Sequence, residues 1–254
     1  MSATNFPELL ELLIPIVRAA GDVVMQVYRT DFAVECKTDT SPVTIADQRA
    51  EALIVPALRR LLAVPVIAEE AVAAEGAPEA GGKFWLVDPL DGTKEFISRN
   101  DEFTVNVALV EDGTPVLGVV FAPALNRLFA GAAGCGAFVE DTIGRRAVFC
   151  RRPPAEGLTV VASRSHGDAD ALASFLNGTR LAQVRNAGSS LKLCLVASGE
   201  ADLYPRLGRT MEWDVAAGHA VLTAAGGMVK TLEGKPLRYG KPGFGNPHFV
   251  ASGL

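Results

Sequence analysis

Histidine and cysteine are scarce in this sequence, and long uninterrupted apolar runs are missing. Three histidines, His166, His219 and His248, lie far apart in 254 residues, which argues against a histidine-based zinc centre. Four cysteines, Cys36, Cys135, Cys150 and Cys194, are scattered, with no CxxC pair. They read as buried thiols of a reducing compartment, not as a disulfide framework. Charges such as Arg18 and Asp22 break each apolar run before it reaches membrane-spanning length. The N-terminus has early acids and no basic region, so no secretory leader is expected and the expected location is the cytoplasm. No GxxxxGK(S/T) loop is present, so transfer driven by a nucleoside triphosphate is not indicated. The stretch GAAGCGAF fits no dinucleotide fingerprint and reads as a turn between strands. Basic charge is also short, with 24 Lys plus Arg against 29 Asp plus Glu and a net charge of -5. That balance argues against a general nucleic-acid binder, and any anionic ligand would need a positive field from another source.

What is present is a chain of ordinary globular composition, 49% hydrophobic and 21% charged, long enough for one large domain or two modest ones. Residues 6–29 carry apolar positions at helical spacing, with Pro7 suited to the first turn. A polar loop, KTDTSPVT, follows, and then a helix from about Ala46 to Leu62 with a kink expected at Pro56. VPVIAEE and KFWLVDPLDG read as buried strands delivering acids at their C-terminal ends. VAAEGAPEAGG between them reads as a mobile surface loop. From Phe103 to Ala132 the pattern is an antiparallel meander, with Asp112-Gly113 as a hairpin turn. The prolines of RRPPAEG mark a division into 1–152, an α+β unit, and 153–254, an α/β unit in which strands and helices alternate.

The chemistry concentrates in acids. Asp88-Pro89-Leu90-Asp91-Gly92-Thr93 follows a strand and can aim two carboxylates and a backbone carbonyl at a hard cation, with Gly92 allowing close approach. A short helix opening at Thr93 offers N–H groups to a phosphate. Glu69-Glu70 ends the other strand, where adjacent residues point to opposite sides, so one of the two is expected in a shared site. Asp214 opens a helix behind Trp213, and Asp39 and Asp47 flank Ser41-Pro42-Val43-Thr44. Each acid also has an ordinary use: Asp91 or Asp214 as a helix cap, Asp39 and Asp47 in loop and cap bonds, Glu69-Glu70 as a solvated loop start. Together they form a set of hard oxygen donors almost without His or Cys competition, suited to magnesium. Setting the seven aside leaves fewer acids than bases in the rest of the chain. The net negative charge then belongs to one site, where bound cations would supply the positive field.

Glu69-Glu70, Asp88-Pro89-Leu90-Asp91-Gly92-Thr93 and Trp213-Asp214 with Ala217-Gly218 resemble the three motifs of the lithium-sensitive, magnesium-dependent phosphatases, the inositol monophosphatase superfamily. SPVTIADQRAE, DPLDGTKEFISRNDEFTVNVAL, GSSLKLCLVASGEADLYPR and TMEWDVAAGHAVL are most similar to its bacterial 3′(2′),5′-bisphosphate nucleotidase branch. The resemblance implies a layered αβαβα sugar-phosphatase fold of the α/β class, with the site between an α+β and an α/β domain. It implies removal of the 3′-phosphate from 3′-phosphoadenosine 5′-phosphate, a product of sulfate assimilation, by in-line attack of a metal-activated water. Two Mg2+ ions, with a third at a weaker site, would be held by Glu69, Asp88, the Leu90 carbonyl, Asp91, Asp214 and, through water, Asp47. Glu69 and Thr93 would position the water, Asp39 would help activate it, and Glu70 would stand behind the ligands. Gly92, Ser163, Arg164, Ser165, His166, Ser189, Lys192 and Arg206 match positions near nucleotide, with Lys192 and Arg206 as cations for a second phosphate. Their ordinary reading is solvated surface. The resemblance leaves room for peripheral association with the inner face of the membrane. The competing readings are an inositol or sugar monophosphatase with the same metals, and a non-catalytic metal- or phosphate-binding regulator.

Overall fold

The computed structural model of the chain describes residues 5–36, 42–164 and 169–254. Asp39, Ser41, Ser165 and His166 therefore lie outside the described residues. The first helix, α1 (Phe6–Tyr28), takes its N-cap from Asn5 and buries Leu9, Leu10, Leu13, Val17, Ala20, Val24 and Val27, the positions set by the helical period. Two short strands, β1 (Val34–Cys36) and β2 (Pro42–Thr44), pair antiparallel where the sequence reads as plain loop. α2 (Ile45–Leu61) then runs through Pro56 as one helix. Both helices cover the same sheet.

That sheet has seven strands in sequential order, β3 (Val66–Ala68), β4 (Lys83–Asp91), β5 (Thr104–Glu111), β6 (Thr114–Ala122), β7 (Arg127–Ala132), β8 (Gly136–Asp141) and β9 (Gly144–Val148). β3 and β4 are parallel and the remaining pairs antiparallel. Asp112 and Gly113 both have positive φ, 47° and 73°, as a two-residue hairpin twisting with its strands requires. Along β4, Trp85 and Val87 pack with α1 and α2, while Phe84 and Leu86 pack with the C-terminal half. A sheet buried on both faces needs apolar side chains on both, which is why KFWLV is continuous and not alternating.

Between β3 and β4 the structure corrects the sequence reading. Glu69–Glu75 is a short helix, α3, so Glu69 and Glu70 open a helix and do not end a strand. Alanines favour the helix, and acids in its first turn suit the helix dipole. α4 (Thr93–Ile97) follows the acidic turn. Beyond a coil at 149–157 come β10 (Leu158–Ser163), α5 (Ala169–Phe175), β11 (Leu181–Ala187), α6 (Leu191–Ala197), β12 (Leu203–Arg206), α7 (Glu212–Ala224), β13 (Met228–Thr231) and β14 (Phe249–Ser252). The largely exposed edge strand β11 and the last strand β14 are not marked by apolar patterning. The second sheet has the order β11-β10-β12-β14-β13. The β10–α5–β11 and β11–α6–β12 crossovers move in opposite directions across parallel strands, so right-handed connections put α5 and α6 on opposite faces. The layers are α1/α2, seven-stranded sheet, α6/α7, five-stranded sheet and α5.

α7 lies directly on the first sheet because Gly118 has no side chain: a Cβ there would stand 2.4 Å from the Ala217 carbonyl oxygen. His219 of α7 is buried, with Nδ1 2.9 Å from the Tyr239 hydroxyl, as a core histidine. Of the cysteines, Cys150 and Cys194 are buried thiols, whereas Cys135 is exposed in the β7–β8 turn, contrary to the sequence reading.

Gly118→Ala is expected to cost about 1–3 kcal/mol in urea unfolding, because backbone meets backbone and neither side can rotate away. Burial pushes the His219 imidazole down to about 4, so between its unfolded value near 6.5 and pH 4 only the unfolded chain gains the proton. Stability from neutral His219 is therefore lost as pH falls through that window. The Tm gap between the parent and His219→Gln should narrow from pH 7 to pH 4 in thermal melts.

Candidate metal and phosphate site

A cleft of about 1340 Å³ opens between the layers, bounded by α3, the end of β4, the start of α6 and the start of α7. Its chemistry begins with one extra residue. Asp88 pairs with Asn106 and Asp91 with Thr104, so three steps along β4 match two along β5. In a regular strand, residues three apart point to opposite faces. The bulge at Pro89-Leu90 restores the phase, and both carboxylates emerge on the α7 side. Pro89 has no N–H to lose from the ladder. Asp88 Oδ1 accepts the Leu90 N–H at 3.0 Å, and the Leu90 carbonyl accepts the Thr93 hydroxyl at 3.3 Å. Gly92 takes the left-handed backbone (φ 87°) that turns the chain into α4, a conformation that side chains resist.

Three carboxylates then converge. One oxygen each from Glu69, Asp88 and Asp214 lie within 4.8 Å of one another. Asp214 is the third residue of α7, and its Oδ2 accepts the Met211 N–H at 2.8 Å, so its ordinary capping use and its place in the cluster coexist. Below Asp214, α7 is pinned by the fully buried Glu212, which accepts the Gly240 and Lys241 N–H groups at 2.6 and 3.0 Å. Trp213 packs against Phe244 and anchors the same turn. Burial, then the charges of Asp91 and Glu69, push the Asp214 carboxyl well above the usual range. A set of close carboxylate oxygens, Asp88 buried and Glu69 and Asp214 half-buried, without His or Cys is one that a hard divalent cation would relieve.

Asp91 stands beside this trio and is held from the other half of the chain. Its Oδ2 accepts the Ser190 N–H at 2.6 Å and Asn106 Nδ2 at 3.3 Å. Burial, with Glu95 adding to it, raises its pKa, while Lys192, the Ser190 N–H and Asn106 oppose the rise. Asn106 also donates to Ser190 Oγ at 3.1 Å, and that hydroxyl donates to the Asp214 carbonyl. Asn106 and Ser190 are thus working residues that sequence reasoning missed. The available signal was a lone Asn inside the apolar strand FTVNVAL, since a buried amide must find partners. Ser189 keeps a positive φ of 44° at the same junction.

Asp47 is buried and closes the capping box of α2: its Oδ2 accepts both the Thr44 N–H and the Thr44 hydroxyl at 2.8 Å. It is outside the three-carboxylate group, but the charges of Glu70 and Glu69 reach it, and burial pushes it up to about 7. Thr93 and Ser163 line the cleft, as does Glu70. Lys192 is a buried part of the cleft wall, not solvated surface. Its Nζ donates to the Ser189 and Ala187 carbonyls at 2.5 and 3.4 Å, and burial lowers it to about 8. Arg206 is buried beside it: Nη2 donates to the Arg209 carbonyl at 2.7 Å, and Nε has no hydrogen-bond partner among the described residues. Arg164 is taken up by Glu102, with two N–O contacts of 2.9 and 3.1 Å.

Comparison with known proteins places this geometry. Residues 7–250 match the model of the inositol monophosphatase family. The chain is 47% identical over 250 residues to the 3′(2′),5′-bisphosphate nucleotidase CysQ of Escherichia coli K12, covering 96% of this chain and 99% of that protein. It is 48% identical over 247 residues to the CysQ nucleotidase of Salmonella typhimurium, covering 95% and 98%. Among solved structures it resembles CysQ of Bacteroides thetaiotaomicron, with a TM-score of 0.84, 35% identity and 98% of each chain covered. It also resembles the Thermotoga maritima IMPase, with a TM-score of 0.77 and 30% identity over 96% of this chain and 91% of that one.

A ligand that binds only the folded state stabilises it. Millimolar Mg2+ or Ca2+ is therefore expected to raise Tm, and Asp88→Asn to abolish most of that rise in melts with and without the cation.

Proposed function

This chain belongs to the inositol monophosphatase family, and from that premise we propose that it is a 3′(2′),5′-bisphosphate nucleotidase acting on 3′-phosphoadenosine 5′-phosphate. The reaction is hydrolysis of the 3′-phosphomonoester to AMP and phosphate. The observation that carries the substrate choice is 47% identity to a nucleotidase over nearly the whole chain, above the 30% identity to the Thermotoga IMPase structure.

In this reading Glu69, Asp88, the Leu90 carbonyl, Asp91 and Asp214 would hold the Mg2+ ions. Asp47 would serve a weaker third through water. Magnesium, when bound, makes a water acidic enough to attack at neutral pH and offsets charge on the phosphate and leaving oxygen. The protein's own share is placement. Glu69 and Thr93 orient the attacking water, with Thr93 kept in register by the Leu90 carbonyl. Asn106 and the Ser190 N–H aim Asp91 and favour its ionised form against the burial that raises its pKa. Asp47, held in its cap on α2, would act through water, and Asp39 assists activation of the attacking water. The Gly92–Thr93 turn receives phosphate oxygens. Arg206 and Lys192 add positive charge to the wall that would face the 5′-phosphate, and Ser189 and His166 complete the nucleotide side. The units 1–152 and 153–254 meet across this cleft, so both are needed for the site. No helix among the described residues is long and apolar enough to cross a membrane. We place the enzyme in the cytoplasm, where such nucleotides arise.

The decisive measurement is phosphate release from 3′-phosphoadenosine 5′-phosphate against inositol 1-phosphate. The nucleotide is expected to give the higher kcat/KM by at least a factor of ten, and a preference for inositol phosphate overturns the assignment in favour of a monophosphatase. Asp91→Asn should retain the circular dichroism of the parent and lose hydrolysis by at least a hundredfold. Metal binding without turnover in the parent would point to a regulator.

A further inference from the structure

The helix that carries Glu69 is weakly built. α3 spans seven residues, none of them buried, and its N-cap, Ala68, has no side chain able to accept a hydrogen bond. The first N–H groups of a helix have no partner inside it. Here the partner comes from another helix. Glu51 of α2 places Oε2 2.9 Å from the Glu70 nitrogen and Oε1 2.8 Å from the Ala71 nitrogen, accepting both N–H bonds. Glu51 is 8% exposed, and α2 is fixed beneath it by Ala46, Ala50, Ile54 and Leu58, all fully buried. One turn earlier, Asp47 fastens the start of α2 to Thr44.

The electrostatics make the choice of residue informative. Burial, and after it the charges of Glu70 and Glu69, disfavour the ionised form of Glu51. A carboxylate is nonetheless the side chain that presents two acceptor oxygens to two adjacent N–H groups. With both oxygens used on α3, Glu51 is outside the Glu69–Asp88–Asp214 group even though it lines the same cleft.

We propose that Glu51 is a positioning residue: by capping α3 from α2 it holds Glu69 in the carboxylate cluster and so sets the site's cation affinity without touching the ion. The inference rests on the reading of Glu69 as a metal ligand. Loss of a group that orients a metal ligand lowers metal affinity by about 10–100-fold.

The test is Mn2+ binding to full-length protein, followed by the loss of the free-ion EPR signal, for the parent, Glu51→Ala, Glu51→Gln and the double variant Ala68→Ser/Glu51→Ala. Ala68 already has the extended backbone of an N-cap (φ −121°, ψ 143°), so a serine there can accept from the same Glu70 or Ala71 N–H. Glu51→Ala is expected to weaken Mn2+ binding at least tenfold, Glu51→Gln less, and Ala68→Ser should restore much of the loss. Turnover at saturating Mg2+ should recover most of the parent kcat, with KM for the phosphate ester changed less than the Mg2+ half-saturation. Unchanged Mn2+ affinity in folded Glu51→Ala overturns the proposal. So does a loss that Ala68→Ser leaves untouched, because Glu51 would then act by charge and not by capping. If Glu51→Ala does not fold, Glu51→Gln carries the same comparison: accelerated exchange of the Glu70 and Ala71 amides with parent-like affinity, or weakened affinity with parent-like exchange, overturns the proposal. Failure of the parent to bind Mn2+ would instead defeat the metal reading. Hydrogen exchange at those two amides, expected to accelerate in Glu51→Ala, reports on the cap independently of any ion.

Discussion

Crowded carboxylates repel one another, and this architecture is arranged around holding several of them in one place. Glu69, Asp88 and Asp214 bring oxygens within 4.8 Å of each other, with Asp91, Asp47 and Glu51 close behind. Isolated buried charges are costly, and the usual escape is protonation or pairing. Here five of the acids are tied to backbone N–H groups: Asp88 to Leu90, Asp91 to Ser190, Asp214 to Met211, Asp47 to Thr44, Glu51 to Glu70 and Ala71. These bonds fix geometry and favour the ionised form without neutralising the cluster. The remaining imbalance is one that bound cations would relieve, and such cations would make the cleft attractive to a phosphate that the net charge of -5 would otherwise repel.

The ties also explain why the layers need one another. Asp91 belongs to the first sheet but is held by Ser190, which sits just before α6. Ser190 in turn contacts the Asp214 carbonyl on α7. Asn106 closes the loop from β5. Gly118 lets α7 sit close enough for the circuit to form. α3 is the weakest member: it has no buried residue and depends on Glu51 for its start.

Much of this could be read from the chain. The apolar period fixes α1, the continuous run KFWLV fixes a strand buried on both faces, and Asp112-Gly113 fixes a hairpin. The three acidic motifs point to one another because hard oxygen donors in such number suit a divalent cation. Other features resisted reading. Glu69-Glu70 looks like a strand end, yet an Ala-rich stretch of seven residues is enough for a helix once Glu51 caps it. β11 escapes notice, since it is a largely exposed edge strand with only Ala187 buried. Lys192 and Arg206 resemble surface cations, but both are buried in the wall of the cleft.

The sequence by itself determined the donor chemistry, the strand and helix content of most of the chain, and membership of a phosphatase family, because residue type and short-range spacing carry that information. Only the tertiary structure decided that Asp88 and Asp91 share a face, since that depends on how many residues of β5 oppose them. It alone assigned Asn106, Ser190 and Glu51 their tasks, because each acts on a backbone or side-chain group 15 to 99 residues away in the chain. Spacing cannot encode such contacts; packing creates them.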